Sequence, residues 1–111
     1  MDNDKIIIKG VMTSGNVLDA VANVTGVSRK RILSDSRQWP AVEARMLSVL
    51  VLNWLGLPDI KIAWILNRQR PTVCKSRHAA LNLLDCSKTF KDKYLKLQTI
   101  INNINPQQNE S

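Results

Sequence analysis

The 111-residue sequence is poor in the residues that build turns, cross-links and catalytic sites. Four Gly and four Pro leave few tight connections. Aromatics make up 5%, and three of them are Trp. There is no aromatic-rich sheet on which single-stranded bases would stack. The one histidine, His78, lies among Ala, Asn and Arg. No Ser or Cys sits in a readable nucleophile motif with it, so no enzyme is expected. The two cysteines, Cys74 and Cys86, have no neighbouring Cys or His at ligand spacing. They read as reduced thiols, not as a zinc site or a disulfide, and no metal or other cofactor is expected. No G-x-x-x-x-G-K-[ST] occurs, so no nucleotide partner is expected. The longest mainly apolar stretch, Met46 to Leu57, is too short to cross a bilayer. The opening "MDNDKIIIKG" is acidic before its short apolar run, unlike a signal peptide. The expectation is a cytoplasmic protein with no membrane partner.

Acid is scarce as well. Sixteen Lys and Arg face nine Asp and Glu, for a formal net charge of +7 and a pI near 9.9. Such an excess on a short chain points to a polyanion, which could be DNA, RNA or an anionic surface.

What is present is helical patterning. The apolar segments are longer than strands and rich in Leu, Ala and Met, which predicts one all-α domain. Residues 1–13 read as a flexible arm, in which "KIIIK" has the composition of a strand but no partner strand. Residues 102–111 read as a disordered tail. Between them, residues 14–101 hold about six helices in a compact bundle. The first runs from about Gly15 to Val24, with Ser14 as cap and Gly26 as stop. A short second one, Arg29 to Leu33, begins after Ser28 and carries Arg29, Lys30 and Arg31. Cations in a first turn oppose the helix dipole, so a use other than helix stability is expected for them. "SDSRQ" is a loop. The third helix starts near Pro40 with Glu43 in its first turn. It is apolar almost all round to Leu55, as the central helix of a soluble bundle would be. The fourth, Pro58 to Leu66, puts Ile60, Ala63 and Trp64 on one face. The fifth runs from Pro71 to about Cys86. The sixth, Thr89 to Ile101, carries Phe90, Tyr94, Leu97 and Ile101 at helical spacing. The three Trp are expected in or at the edge of the core.

The fourth and fifth segments, joined by about four polar residues, have the layout of a helix-turn-helix. Val73, Ala80 and Leu84 form the anchoring stripe of the fifth, with Ser76 and Leu81 at its margins. Lys75, His78 and Asn82 lie opposite, and Gln69, Arg70 and Thr72 are left to protrude. A helix N-terminus offers free N–H groups to phosphate, and Arg68 and Arg70 add charge beside it. Arg reads guanine bidentately and Gln reads adenine.

Four pieces in order then carry a resemblance. "TGVSRKRILSDSR" (25–37) resembles "fgVSvedLlSksR", and "EARMLSVLVL" (43–52) resembles "RaRqvAmyLa". "GLPDI" (56–60) resembles "sLPeIG", and "NRQRPTVCKSRHA" (67–79) resembles "GgRDHTTVlhAcrk". These are patterns of the C-terminal DNA-binding domain of the bacterial replication initiator DnaA. More distantly, the chain resembles Trp-repressor-type helix-turn-helix proteins.

The resemblance implies a reader of double-stranded DNA whose signature helix enters the major groove. It places Gln69, Arg70, Pro71 and Thr72 where the family's signature touches bases and phosphates. Arg37 falls where a loop Arg reaches the minor groove, and Arg45 where a long-helix Arg meets phosphate. Arg29, Lys30, Arg31 and Lys75 are further phosphate candidates, and Arg68 lies at the major groove. The family's Asp-His-Thr core is replaced by Gln69–Arg70–Pro71, and a family Arg is replaced by Glu43. The implied function is therefore DNA binding without the family's own recognition sequence, in replication initiation or its control. A Trp-repressor-type transcriptional regulator and a protein-interaction adaptor are the alternatives. A homo-oligomer or a replication or regulatory protein partner stays open. Arg77 replaces a small residue of the family's pattern, with no evident purpose at this level beyond packing its stem while the charge snorkels.

Overall fold

A computed structural model describes residues 7–9 and 12–104. The expected tail from 105 onward, and most of the expected arm, lie outside the described residues. Within them the chain is an all-α bundle of six helices plus one small strand pair. The strand expected to stand alone has a partner. Strand β1 (Ile7–Lys9) pairs antiparallel with β2 (Met12–Thr13). Met12 is fully buried in the core, so the ordered unit begins before residue 14.

Helix α1 (Ser14–Thr25) is capped by Thr13 rather than by Ser14. The Thr13 hydroxyl accepts from the Asn16 N–H at 3.3 Å, and Asn16 Oδ1 accepts from the Thr13 N–H at 2.8 Å. This reciprocal arrangement satisfies two otherwise unpaired donors. Gly26 stops the helix at φ 77°, where a glycine has no Cβ penalty. Helix α2 (Arg29–Ile32) is a single turn capped by Ser28, whose hydroxyl accepts from the Arg31 N–H at 3.2 Å.

Helix α3 (Trp39–Trp54) is the central element, with Ala41, Glu43, Ala44 and Leu47 through Leu52 buried. All five other helices pack against it. Glu43, expected in the first turn, lies just beyond it, is 6% exposed and accepts from Lys93 Nζ at 2.8 Å. The departure from the resembled Arg at this position has a structural partner on the last helix.

Helix α4 (Asp59–Leu66) turns Ile62, Ala63, Ile65 and Leu66 inward, with Pro58 as its cap position. The face expected from Ile60, Ala63 and Trp64 is off by roughly one residue's rotation, since Ile60 and Trp64 are 65% and 45% exposed. Trp39 and Trp54, at the two ends of α3, are 52% and 38% exposed. None of the three Trp belongs to the core. Helix α5 (Arg70–Cys86) buries only Val73 and Ala80, with Leu83 and Leu84 half-buried and Leu81 exposed. Helix α6 (Lys88–Ile104) runs past the expected end at Ile101 and buries Phe90, Leu97 and Ile101.

The Glu43–Lys93 pair ties α3 to α6 across one buried carboxylate. Removing its partner leaves that carboxylate with only part of its solvation, so Lys93→Met should lower stability by about 1–3 kcal/mol. Breaking the more exposed Asp19–Arg29 pair with Asp19→Asn should cost less than about 1 kcal/mol. Urea unfolding of both variants checks the ranking, and an equal loss would contradict it.

Candidate nucleic-acid interface

Helix α4 ends in a left-handed Asn67 at φ 57° and ψ 47°. The Arg68 N–H donates to the Ala63 carbonyl at 2.8 Å and the Asn67 N–H to the Trp64 carbonyl at 3.2 Å. This paired closure of the last turn redirects the chain sharply. Asn tolerates the left-handed region better than most side chains. Three residues, 67–69, therefore suffice to connect α4 to α5. Gln69 occupies the cap position of α5 and its side chain makes no capping bond. Pro71, second in the helix, has no N–H to lose there.

The angle between the two helices has a second fastening. Arg77 Nη2 donates to Asp59 Oδ2 at 2.7 Å and its Nε to Asp59 Oδ1 at 3.3 Å. Both side chains are mostly covered, at 23% and 18% exposed. This bidentate pair joins α5 to the first residue of α4, and it accounts for the arginine that the sequence left without a purpose. The hydrogen bond from Arg77 is the main cause that holds the Asp59 carboxyl below its usual range; the Arg77 charge, then Arg70 and His78, add to it against the opposing effect of burial.

The expected site residues fall into two groups. Lys30, Arg37, Gln69, Arg70, Pro71, Thr72 and Lys75 are exposed. Arg29, Arg31, Arg45 and Arg68 are partly buried and tied to the protein. Arg29 donates to Asp19 Oδ1 at 2.7 Å, and Arg31 Nη2 donates to Gln38 Oε1 at 2.7 Å. Arg45 reaches from α3 over the loop that follows α2. Its Nε donates to the Ile32 carbonyl at 2.8 Å, and its Nη2 to the carbonyls of Ser34 at 3.0 Å and Ser36 at 2.6 Å. Arg68 Nη2 donates to the same Ser34 carbonyl, while its Nη1 donates to Leu66 and Asn67 carbonyls. Arg68, expected at the groove, is thus turned back toward the loop. Burial, then the nearby Arg68 charge, lower the Arg45 guanidinium from its ordinary value, with Asp35 opposing.

Serine hydroxyls shape the same loop. Ser34 Oγ donates to the Arg31 carbonyl at 2.7 Å and accepts from the Ser36 N–H, and Ser36 Oγ accepts from the Gln38 N–H. Arg37 stands between them with its side chain outward.

The loop and the start of α5 border one open basin of about 480 Å³, lined by Asp35, Ser36, Arg37, Arg45, Asn67, Arg68, Gln69 and Thr72. Asp35, Ser36 and Asn67 were not anticipated as lining residues. Only the Asn67 position carried a usable signal, an Asn after the apolar run of α4. No group of residues suited to a metal ion occurs among the described residues. No described helix is long and apolar enough to cross a membrane.

The sequence is similar to part of a known protein. The chain is 36% identical over 90 residues to the chromosomal replication initiator protein DnaA of Thermotoga petrophila. That match covers 80% of this chain and 18% of the initiator. The chain is therefore similar to a segment of a replication initiator and spans less than a fifth of its length. No family model matches the chain.

The Asp59–Arg77 pair makes a pH prediction. The folded-state carboxyl is lowered, so the pair's contribution, on the order of 1 kcal/mol, is present above the unfolded value near about 3.9. It is lost as pH falls through the folded value. Unfolding free energies measured between pH 7 and pH 3 should decline less for Asp59→Asn than for the parent. Parallel declines would show that the pair does not act this way.

Proposed function

We propose that the chain binds double-stranded DNA through a helix-turn-helix made of α4 and α5, with its own sequence preference, in replication initiation or its control. The observation that carries the reading is the shared basin. It brings Arg37 of the α2–α3 loop beside Gln69 and Thr72 at the start of α5, far apart in sequence. A protruding helix start beside a cation-bearing loop suits a duplex, because one element enters the major groove while the other reaches the adjacent minor groove. The net charge of +7 and the similarity to a replication initiator support the same partner.

In this reading Gln69, Arg70 and Thr72 contact base edges and phosphate, and Arg37 enters the minor groove. Lys30 and Lys75, both exposed, meet phosphates, with Arg29 and Arg31 adding field rather than direct bonds. No catalytic step, nucleotide or metal is involved. The outward apolar side chains Trp54, Ile60, Trp64 and Leu81 favour a second reading, an adaptor that docks a protein partner. A transcriptional regulator would use the same groove contacts on a different site.

Salt separates the readings. Duplex binding should weaken steeply as salt rises, with a slope of about 0.9 per phosphate contact, whereas an apolar protein interface should change little. Lys75→Ala should weaken all duplexes about equally. Arg70→Ala should also relax sequence preference, by roughly 1–3 kcal/mol per lost base contact. Selection from a random duplex pool, repeated with each variant, reads both effects. Unchanged duplex binding by Arg70→Ala and Lys75→Ala at moderate salt would remove α5 from the interface.

A further inference from the structure

The resemblance makes Arg45 a phosphate contact and the charge at the helix start makes Arg68 a groove contact, but the geometry gives these two residues a different task. Both guanidiniums converge on the Ser34 carbonyl, from α3 and from the α4–α5 turn. Arg45 also holds the carbonyls on either side, those of Ile32 and Ser36. The loop between α2 and α3, residues 33–38, has no helix or strand of its own. Its course is set by two serine hydroxyls and by these two side chains.

We infer that Arg45 and Arg68 form a positioning clamp, which fixes Arg37 at a set place relative to the first turn of α5. The inference rests on the DNA-binding reading for its consequence, though not for the clamp itself. Three features support it. First, Nε and Nη2 of Arg45 are both committed to backbone carbonyls, so the fork that would grip a phosphate bidentately is already occupied. Second, Arg68 bridges the very turn that sets the direction of α5, so the loop and the reading helix are joined through one carbonyl. Third, two like charges are held side by side at the back of the basin, which requires acceptors that stay in place. The carbonyls supply them, and Asp35 lies close enough to favour the charged form of Arg45.

A planar guanidinium can reach several carbonyls at once, whereas a lysine is one point charge on a flexible stem. The clamp therefore predicts that Arg45→Lys fails to replace Arg45, although it would keep much of a phosphate contact.

The test uses the full chain and its Arg45→Gln, Arg45→Lys, Arg68→Gln and Arg37→Ala variants, with thermal unfolding to show that each is folded. In the DNA-free protein, amide hydrogen exchange at Ser34, Ser36 and Gln38 should quicken by roughly tenfold or more in the Arg45 variants, matching the loss of charge-assisted bonds. In selections from a random duplex pool, Arg45→Gln and Arg68→Gln should lose the same flanking positions that Arg37→Ala loses. Positions lost by Arg70→Ala should remain. Adding Arg45→Gln to Arg37→Ala should bring no further loss at the flanking positions. The salt slope should be unchanged by Arg45→Gln. A slope reduced by about 0.9 with unaltered loop exchange would overturn the clamp and make Arg45 a phosphate contact. Failure of the parent chain to bind any duplex would sink the DNA reading instead, and loop exchange would still decide the clamp.

Discussion

Helix α3 is buried along almost its whole length, and the other five helices all lean on it. Its apolar side chains face several directions at once, which is possible only where neighbours cover each of them. That constraint reaches the surface features that matter for function. Helix α5 contributes only Val73 and Ala80 to the fully buried core. A buried Val is worth about 1.5–3 kcal/mol, and an Ala less, so α5 cannot hold its place by burial of its own residues alone. It is held by the groove that α3, α4 and α6 make for it, by the closed turn at Asn67, and by the Arg77–Asp59 pair. Little of its surface is needed for anchoring, and its first turn and outer face are left to solvent.

The cations divide along the same line. Those that bond backbone carbonyls, acids or an amide side chain, Arg29, Arg31, Arg45, Arg68, Arg77 and Lys93, shape the molecule. Those left exposed among the described residues, Arg37 and Arg70 with Lys30, Lys61, Lys75, Lys88, Lys91 and Lys96, carry the field that solvent meets. Apart from Lys93 the first group is arginine, and the second is mostly lysine. The chemistry explains the choice, since a guanidinium offers several N–H groups in a fixed fork and is less strongly hydrated than an ammonium. A formal charge of +7 thus overstates the number of cations available to a polyanion, while the arrangement of the rest depends on the ones withdrawn.

Much of the architecture was legible in the sequence because Gly26, Gly56, Pro40 and Pro58 mark helix ends and the apolar spacing marks helices. The strand pairing was not, because its second strand is two residues long and carries no alternation to read. The Trp positions were misread for a related reason. Helix α4 is apolar on both sides, so periodicity could not say which side faces the core, and Ile60 and Trp64 fell outside it. At the candidate site, the exposed residues were legible as residue types in a basic, acid-free stretch. The role of Arg45 and Arg68 was hidden, because the acceptors are main-chain carbonyls, which every residue has and no letter marks. Arg77–Asp59 and Lys93–Glu43 join residues distant along the chain, and composition alone does not pair them.

Pro71 connects these points to specificity. It sits second in α5, where the fold tolerates it, but it deletes one of the few backbone donors that a helix start can offer to a phosphate. Gln69 leaves the remaining N–H groups of that turn without a side-chain cap. Those uncapped N–H groups stay open to a phosphate, so only the donor missing at Pro71 lowers the backbone share of anion binding, and in the proposed complex the side chains of Gln69, Arg70 and Thr72 offset that loss. Side-chain contacts are directional and discriminate between bases, whereas backbone contacts to phosphate do not. A helix start built this way trades uniform affinity for dependence on the position of a few side chains. That dependence is what makes a fixed separation between α5 and the Arg37 loop consequential.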